Sequence, residues 1–256
     1  MIELNDALDH FRFHAADALL AFDFDGTLSP IVETPDSAAP FEGVPAALER
    51  LAARFGEVAV VSGRPVEFLE RWFPAPSAVT LVGLYGLELR RDGERQDHET
   101  SGVWRETIAD VAGLARLQGP DGMDVELKGL SLTLHYRRHP EAADAVRSWA
   151  EEMAGPTGLR ARSARMSVEL HPPIAEDKGT VLHHLVAAHT GPVLFAGDDV
   201  GDRPALDALG ALRDAGRTTL GVVVMSDEIT GDLVALADVM VEGPRAVADM
   251  VLALAS

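Results

Sequence analysis

The sequence predicts an α/β protein: a doubly wound parallel sheet interrupted by an inserted α+β domain. Three observations carry this expectation. Short apolar runs at 19–22, 58–61 and 193–196 each stop at polar or glycine residues, as strands buried on both faces do. Helical patterns separate such runs toward both chain ends, which predicts parallel strands joined by right-handed crossovers. Between about residues 100 and 172 the order changes to α-β-β-α-β-β, which predicts an antiparallel sheet with helices on one face. A Rossmann-like core is therefore expected over 1–99 and 173–256, with the insertion over 100–172.

Each element has its own signal. Leu4, Leu8 and Phe11 lie at helical spacing within 2–16. The run 19–22 is the first strand and ends at Asp23. Residues 44–56 carry proline in the first turn and glycine past the end, which predicts a helix. Strand 58–61 ends at Ser62-Gly63-Arg64-Pro65 and a helix follows. Residues 79–82 form a third strand, and 87–90 another, closed by a tight turn at Asp92-Gly93. In the insertion, a helix near 101–117 precedes strands 123–127 and 131–137. Thr133, His135 and Arg137 alternate there with Leu132, Leu134 and Tyr136, so the strand has two unlike faces. Helix 140–153 and strands 159–163 and 166–171 complete it. The β-α rhythm resumes with helix 178–189, strand 193–196, helix 203–210, strand 220–225, helix 229–236, a short strand 239–241 and helix 244–255.

Composition narrows the function. The 256 residues are 47% hydrophobic and 25% charged, enough to fill a core and against a disordered chain. No apolar run approaches the ~18 residues a membrane helix needs. The opening MIELNDALDH lacks the basic-then-apolar pattern of a signal peptide, so a cytoplasmic location is expected. Cysteine is absent, which excludes disulfides, thiolate zinc sites, iron–sulfur clusters and cysteine nucleophiles. Forty-one acids face 22 basic residues, a net charge of −19. That surface repels phosphate backbones, so no nucleic-acid partner is expected. A monomer acting on a small molecule is expected instead. An anionic substrate then needs local positive charge. Among the basic residues only Lys128 and Lys178 are lysine, where a compact ammonium replaces the planar arginine fork.

In open α/β sheets, ligands bind beyond the carboxyl ends of the strands. There the sequence places Asp23-Phe24-Asp25-Gly26-Thr27, Ser62-Gly63-Arg64 and Gly197-Asp198-Asp199, with Asp202 close behind and Lys178 opening a helix. Any one of these alone is an ordinary turn, loop or helix cap. Together, in order, each at the end of an apolar run, they form a chemical set. Clustered carboxylates repel one another unless a cation neutralises them, and oxygen-only ligands favour Mg²⁺. With no cysteine or suitably placed serine–histidine pair, a carboxylate is the available nucleophile, and aspartate can form a phosphoenzyme. A second carboxylate two residues on can protonate the leaving oxygen and then activate water. Thr27, Ser62 and Lys178 can donate to the transferring phosphoryl oxygens.

Asp23-Phe24-Asp25-Gly26-Thr27-Leu28, Ser62-Gly63-Arg64, Lys178-Gly179 and Gly197-Asp198-Asp199-Val200-Gly201-Asp202 resemble the four motifs of haloacid-dehalogenase-like phosphatases. The insertion is placed as in the α/β-capped members. Its segment from Glu126 to Arg137 resembles the trehalose-6-phosphate phosphatases, as do Val168-Glu169-Leu170-His171-Pro172 and Gly83-Leu84-Tyr85-Gly86-Leu87-Glu88. The likeness covers most of 18–205. It implies a Mg²⁺-dependent phosphatase acting on trehalose 6-phosphate through an aspartyl phosphate, with the insertion as a cap that selects the substrate. Related phosphatases of sucrose 6-phosphate or mannosyl-3-phosphoglycerate, or a sugar phosphomutase, are the alternatives. The resemblance implies that Asp23 is the nucleophile and a metal ligand. Asp25 is implied as acid/base, lending its carbonyl to the metal. Asp198 is implied as a ligand, with Asp199 or Asp202 nearby. Ser62 and Lys178 would hold the phosphoryl group, with Thr27, Gly63 and Arg64 on the substrate. Glu126, Lys128 and Glu169 would bind sugar hydroxyls, alongside His135 and Arg165. Three positions depart from the family pattern: Tyr85 for histidine, Arg203 for glutamate and Arg165 for lysine.

Overall fold

The apolar runs form strands whose two faces are both covered. In chain order the first elements are α1 (Leu4–Phe13), β1 (Leu19–Phe22), α2 (Val44–Ala52), β2 (Glu57–Val61), α3 (Val66–Leu69), β3 (Thr80–Gly83), β4 (Glu88–Arg91) and β5 (Glu94–Asp97). The insertion holds α4 (Ser101–Gln118), β6 (Asp124–Leu127), β7 (Leu132–His135), α5 (Ala143–Thr157), β8 (Arg160–Ala164) and β9 (Ser167–His171). Then come α6 (Lys178–Val186), β10 (Val193–Gly197), α7 (Arg203–Asp214), β11 (Thr219–Met225), α8 (Gly231–Leu236), β12 (Val239–Glu242) and α9 (Gly243–Leu254). This is a computed structural model, and it describes all residues except 1–3, 33, 99–100, 165, 175 and 226–230. The chain divides into two compact units, 1–96 with 176–256, and 97–175.

The first unit is built on one sheet of order β12-β11-β10-β1-β2-β3-β4-β5. Its pairs from β12 to β3 are parallel, and β4 runs antiparallel to β3. Alternation along β1 explains why helices are needed on both faces. Leu20 and Phe22 pack with Phe11 of α1, Leu48 of α2 and Val251 of α9. Leu19 and Ala21 pack on the opposite face with Leu182 and Leu185 of α6 and Leu206 of α7. The doubly wound α/β core expected from the sequence is what forms.

The second unit has a four-stranded antiparallel sheet of order β6-β7-β9-β8. Leu132, Leu134, Val168 and Leu170 turn one face toward Ile108 and Val111 of α4 and Val146 and Ala150 of α5. The other face is polar, and its register sets Glu126, Thr133, Glu169 and Arg162 in one row across the sheet.

Several boundaries differ from expectation for physical reasons. The expected first helix stops at Phe13, and a 3-10 turn at Ala15–Asp17 follows. The helix expected from 140 begins with a 3-10 turn at Pro140–Ala142 and continues past 153. Pro156 is tolerated in its last turn, and Gly158, at φ 75°, ends it in the left-handed conformation. Strand β5 carries no sequence signal, because its four residues are all exposed and show no apolar alternation. Of the helix expected at 229–236, residues 229 and 230 lie outside the described residues. No helix among the described residues is long and apolar enough to cross a membrane.

Candidate active site

β1 lies between β10 and β2, so the sheet changes its direction of winding there and a crevice opens at the carboxyl ends. The Asp23 amide continues the ladder past β1, donating to the Ala196 carbonyl at 2.9 Å. Asp23 and Asp198 thereby leave adjacent strands side by side. Lys178 reaches them from the first turn of α6. That helix start is fixed by a capping box: Asp177 Oδ1 accepts from the amides of Gly179 (2.9 Å) and Thr180 (2.8 Å), and Thr180 Oγ1 accepts from the Asp177 amide.

The result is a buried ionic cluster. Lys178 Nζ donates to Asp23 Oδ1 and to Asp202 Oδ1, each at 2.6 Å. Lys178 and Asp23 are each 4% exposed and Asp202 is fully buried. Asp202 Oδ2 accepts from the amides of Asp198 (2.8 Å) and Asp199 (3.1 Å), and so ties the loop after β10 back on itself. Thr27 Oγ1 donates to Asp198 Oδ1 at 3.3 Å. Gly26, at φ 79°, makes the turn after β1, and a Cβ there would collide with the Asp198 carboxylate.

Carboxylate oxygens of Asp23, Asp198 and Asp202 all lie within 4.8 Å of one another. One ammonium faces these three acids. Burial pushes the Asp23 carboxyl well above the usual range; Lys178 opposes the rise, and Asp202, Asp198 and Asp199 add to it. Burial, with Asp202 and Asp199, pushes Asp198 up to about 7. Burial pulls Lys178 down, but Asp202 and Asp23 more than reverse this, and its ammonium is held well above its ordinary value. An all-oxygen donor set with uncompensated negative charge fits a hard divalent cation.

A pH dependence follows for the metal-free protein. Asp198 binds its proton more tightly folded than unfolded, so ionising it opposes folding. Its stabilising contribution is complete below about pH 4 and is lost as pH rises through about 7. Over that window the loss should be on the order of a few kcal/mol. Melting in EDTA, compared with melting in excess Mg²⁺, checks this, because carboxyls away from the cluster contribute equally to both: the gap between the two melting temperatures should widen as pH rises from about 4 to about 7. A gap that does not change with pH would contradict it.

The other expected residues fall into distinct places. Ser62 is buried at the end of β2, and its Oγ accepts from the Arg64 amide at 3.1 Å. Arg64 does not stand free for an anion, because it pairs with Asp25. Asp199 does not join the three clustered carboxylates. It is exposed, and its Oδ1 caps the 3-10 turn Val200–Asp202 by accepting from the Gly201 amide at 2.8 Å. Arg203 pairs with Asp207 (3.5 Å) and Asp232 (3.4 Å), so this departure from the family pattern adds no cation to the cluster. The ring of Tyr85 lies against Gly63.

On the polar face of the second unit, Glu126 Oε2 lies 2.7 Å from His135 Nε2 and 3.8 Å from Lys128 Nζ. Glu169 Oε2 accepts from Arg162 Nη2 at 2.6 Å. Burial pushes the Glu169 carboxyl up, but Arg162, Lys128 and a hydrogen bond from Ser131 hold it below its usual value. Arg165 lies outside the described residues. Two further side chains contribute without a local sequence signal for their role. Arg162 sits on an exposed strand without an apolar alternation to mark its face. Glu88 of the Gly-rich segment accepts from the Val66 amide at 2.8 Å and so anchors the start of α3.

Comparison with known proteins bears on the family and the fold. The trehalose-phosphatase family model matches residues 21–239. The trehalose-phosphate phosphatase of Mycobacterium ulcerans is 34% identical over 249 residues, 92% of this chain and 60% of that protein. Its counterpart in Mycobacterium tuberculosis is 36% identical over 230 residues, 82% of this chain and 57% of that protein. The chain thus spans little more than half the length of these relatives. Among solved structures, a trehalose-6-phosphate phosphatase related protein superposes with a TM-score of 0.76 at 22% identity, covering 93% of this chain and 96% of that one. The C-terminal domain of the Candida albicans trehalose-6-phosphate phosphatase gives 0.76 at 22% identity, covering 99% and 97%. At that identity these two structures speak for the fold.

Proposed function

Because this chain belongs to the trehalose-phosphatase family, we propose that it hydrolyses trehalose 6-phosphate to trehalose and phosphate in a Mg²⁺-dependent reaction through an aspartyl phosphate. The observation that carries this reading is the buried placement of Asp23 at the end of β1, held by Lys178 beside Asp198 and Asp202. Asp23, Asp198, Asp202 and the Asp25 carbonyl would hold Mg²⁺, which when bound draws charge from the transferring phosphoryl oxygens.

The chain's own residues supply the rest. An oxygen of Asp23 attacks phosphorus, and the bond from phosphorus to the sugar oxygen breaks. The Asp25 carboxyl gives its proton to that leaving oxygen. A water oxygen then attacks the phosphorus of the aspartyl phosphate while Asp25 takes the water proton, and the Asp23 carboxylate is released with inorganic phosphate. Lys178, Ser62 and Thr27 donate to the phosphoryl oxygens as charge develops. Lys178 is already held in place by Asp23 and Asp202, so little reorganisation is needed.

Sugar hydroxyls each donate and accept, so they are matched by mixed donor and acceptor side chains. Glu126, Lys128, His135 and Glu169 supply such a mixture on one sheet face. Glu126→Ala or Lys128→Ala should raise KM for trehalose 6-phosphate by roughly ten- to 100-fold. Turnover of p-nitrophenyl phosphate, which has no sugar, should change little. Equal losses on both substrates would remove these residues from sugar recognition.

A further inference from the structure

The Arg64 guanidinium gives two of its N–H groups to one carboxylate. Nε donates to Asp25 Oδ2 at 2.8 Å and Nη2 to Asp25 Oδ1 at 2.9 Å. The guanidinium carbon lies 4.6 Å from the centroid of the Phe68 ring, a cation–π contact that fixes the plane of the fork. Asp25 itself sits on the turn after β1 with its side chain 35% exposed, and the fork engages both oxygens of its carboxylate.

The loop that carries Arg64 is held from beneath. The Leu84 amide donates to the Arg64 carbonyl at 3.0 Å, and the Tyr85 amide to the Ser62 carbonyl at 3.1 Å. Leu84 and Tyr85 make these bonds at φ 50° and 58°, left-handed values that are unfavourable for bulky side chains. The Tyr85 ring closes over Gly63, where a Cβ would stand 2.7 Å from Cζ of the ring. Glu88 anchors α3, which carries Phe68. The two unfavourable conformations persist because these contacts over-determine them, and the same two hydrogen bonds hold the position of the loop that carries Arg64.

We propose that Arg64 is a positioning residue for Asp25: its planar fork aims the carboxyl that protonates the leaving oxygen, and it is not an anchor for substrate phosphate. This rests on the phosphatase reading of Asp23 and Asp25. In the resting pair both carboxylate oxygens are engaged. When Asp25 carries its proton, one bond of the fork opens and the other keeps the group aimed. The proton then passes to the leaving oxygen as that oxygen takes the electron pair of the broken bond to phosphorus. A lysine keeps the charge of Arg64 but has no fork, and cannot replace it in this role.

The test is a leaving-group series. Aryl phosphates have one shape and no sugar, and their leaving oxygens need the proton to different degrees. We take kcat/KM, which covers steps only through formation of the aspartyl phosphate, for p-nitrophenyl phosphate and phenyl phosphate. The proteins are wild type, Arg64→Lys, Arg64→Gln, Asp25→Asn, the Asp25→Asn/Arg64→Gln double variant and Asp23→Asn, with melting curves for each. Both Arg64 variants should lose less than about threefold on p-nitrophenyl phosphate and about tenfold or more on phenyl phosphate. The double variant should be no worse than Asp25→Asn alone. Equal losses on both aryl phosphates, rescue by lysine, or additive losses in the double variant would overturn the proposal and make Arg64 a phosphate anchor. Activity surviving in Asp23→Asn, or an Asp25→Asn variant blind to the leaving group, would instead overturn the underlying phosphatase reading, and the proposal with it.

Discussion

Asp23→Asn should lower phosphate release by about 10⁴-fold or more while leaving thermal stability unchanged or slightly raised. The two halves of this expectation have separate causes. An amide has nearly the volume of the carboxylate but cannot act as the nucleophile. Its carbonyl oxygen can still accept from Lys178, so the buried ammonium keeps a partner. The lost charge is one of three carboxylates sharing a single ammonium, and burial already disfavours its ionised form. Phosphate release and melting in EDTA check the two halves together. Activity within about tenfold of wild type would place the nucleophile elsewhere.

Lys178→Met should be the most destabilising single change at the site. It leaves Asp23 and Asp202 buried without their shared cation. Removing one partner of a buried ion pair costs about 3–5 kcal/mol, because the remaining charge is stranded. For a chain of this size that lowers the melting temperature by on the order of 10 °C. Excess Mg²⁺ should recover part of the stability, since a divalent cation can neutralise the acids. It should not recover activity, since the ammonium's hydrogen bonds to the phosphoryl group are gone. Lys178→Arg is no conservative remedy, because a planar fork does not fit where a compact ammonium serves two carboxylates in a sealed site. A melting curve unchanged by Lys178→Met would contradict the ionic cluster.

The sequence shows most where burial is two-sided. Strand β1 is a continuous apolar run stopped by an acid, and that pattern alone locates Asp23 at the crevice. The charged edge strand β5 has no such pattern. Asp199 and Asp202 look equivalent as letters. The 3-10 turn between them separates the two: Asp199 caps it at the surface, while Asp202 folds back beneath Asp198. The Asp25–Arg64 pair spans 39 residues and exists because β1 and β2 lie side by side. No local spacing encodes it. Arg162 meets Glu169 through strand register in the same way. Long-range pairing decides which side chains meet, and a motif names only the candidates.

The most direct measurement is phosphate release by the purified protein with Mg²⁺ from trehalose 6-phosphate, sucrose 6-phosphate, glucose 6-phosphate and mannose 6-phosphate, with Asp23→Asn alongside. Strong preference for trehalose 6-phosphate, lost in the variant and in EDTA, is the expected result. Even activity across the four would contradict the sugar assignment, and no phosphate release from any of them would contradict the hydrolytic mechanism itself.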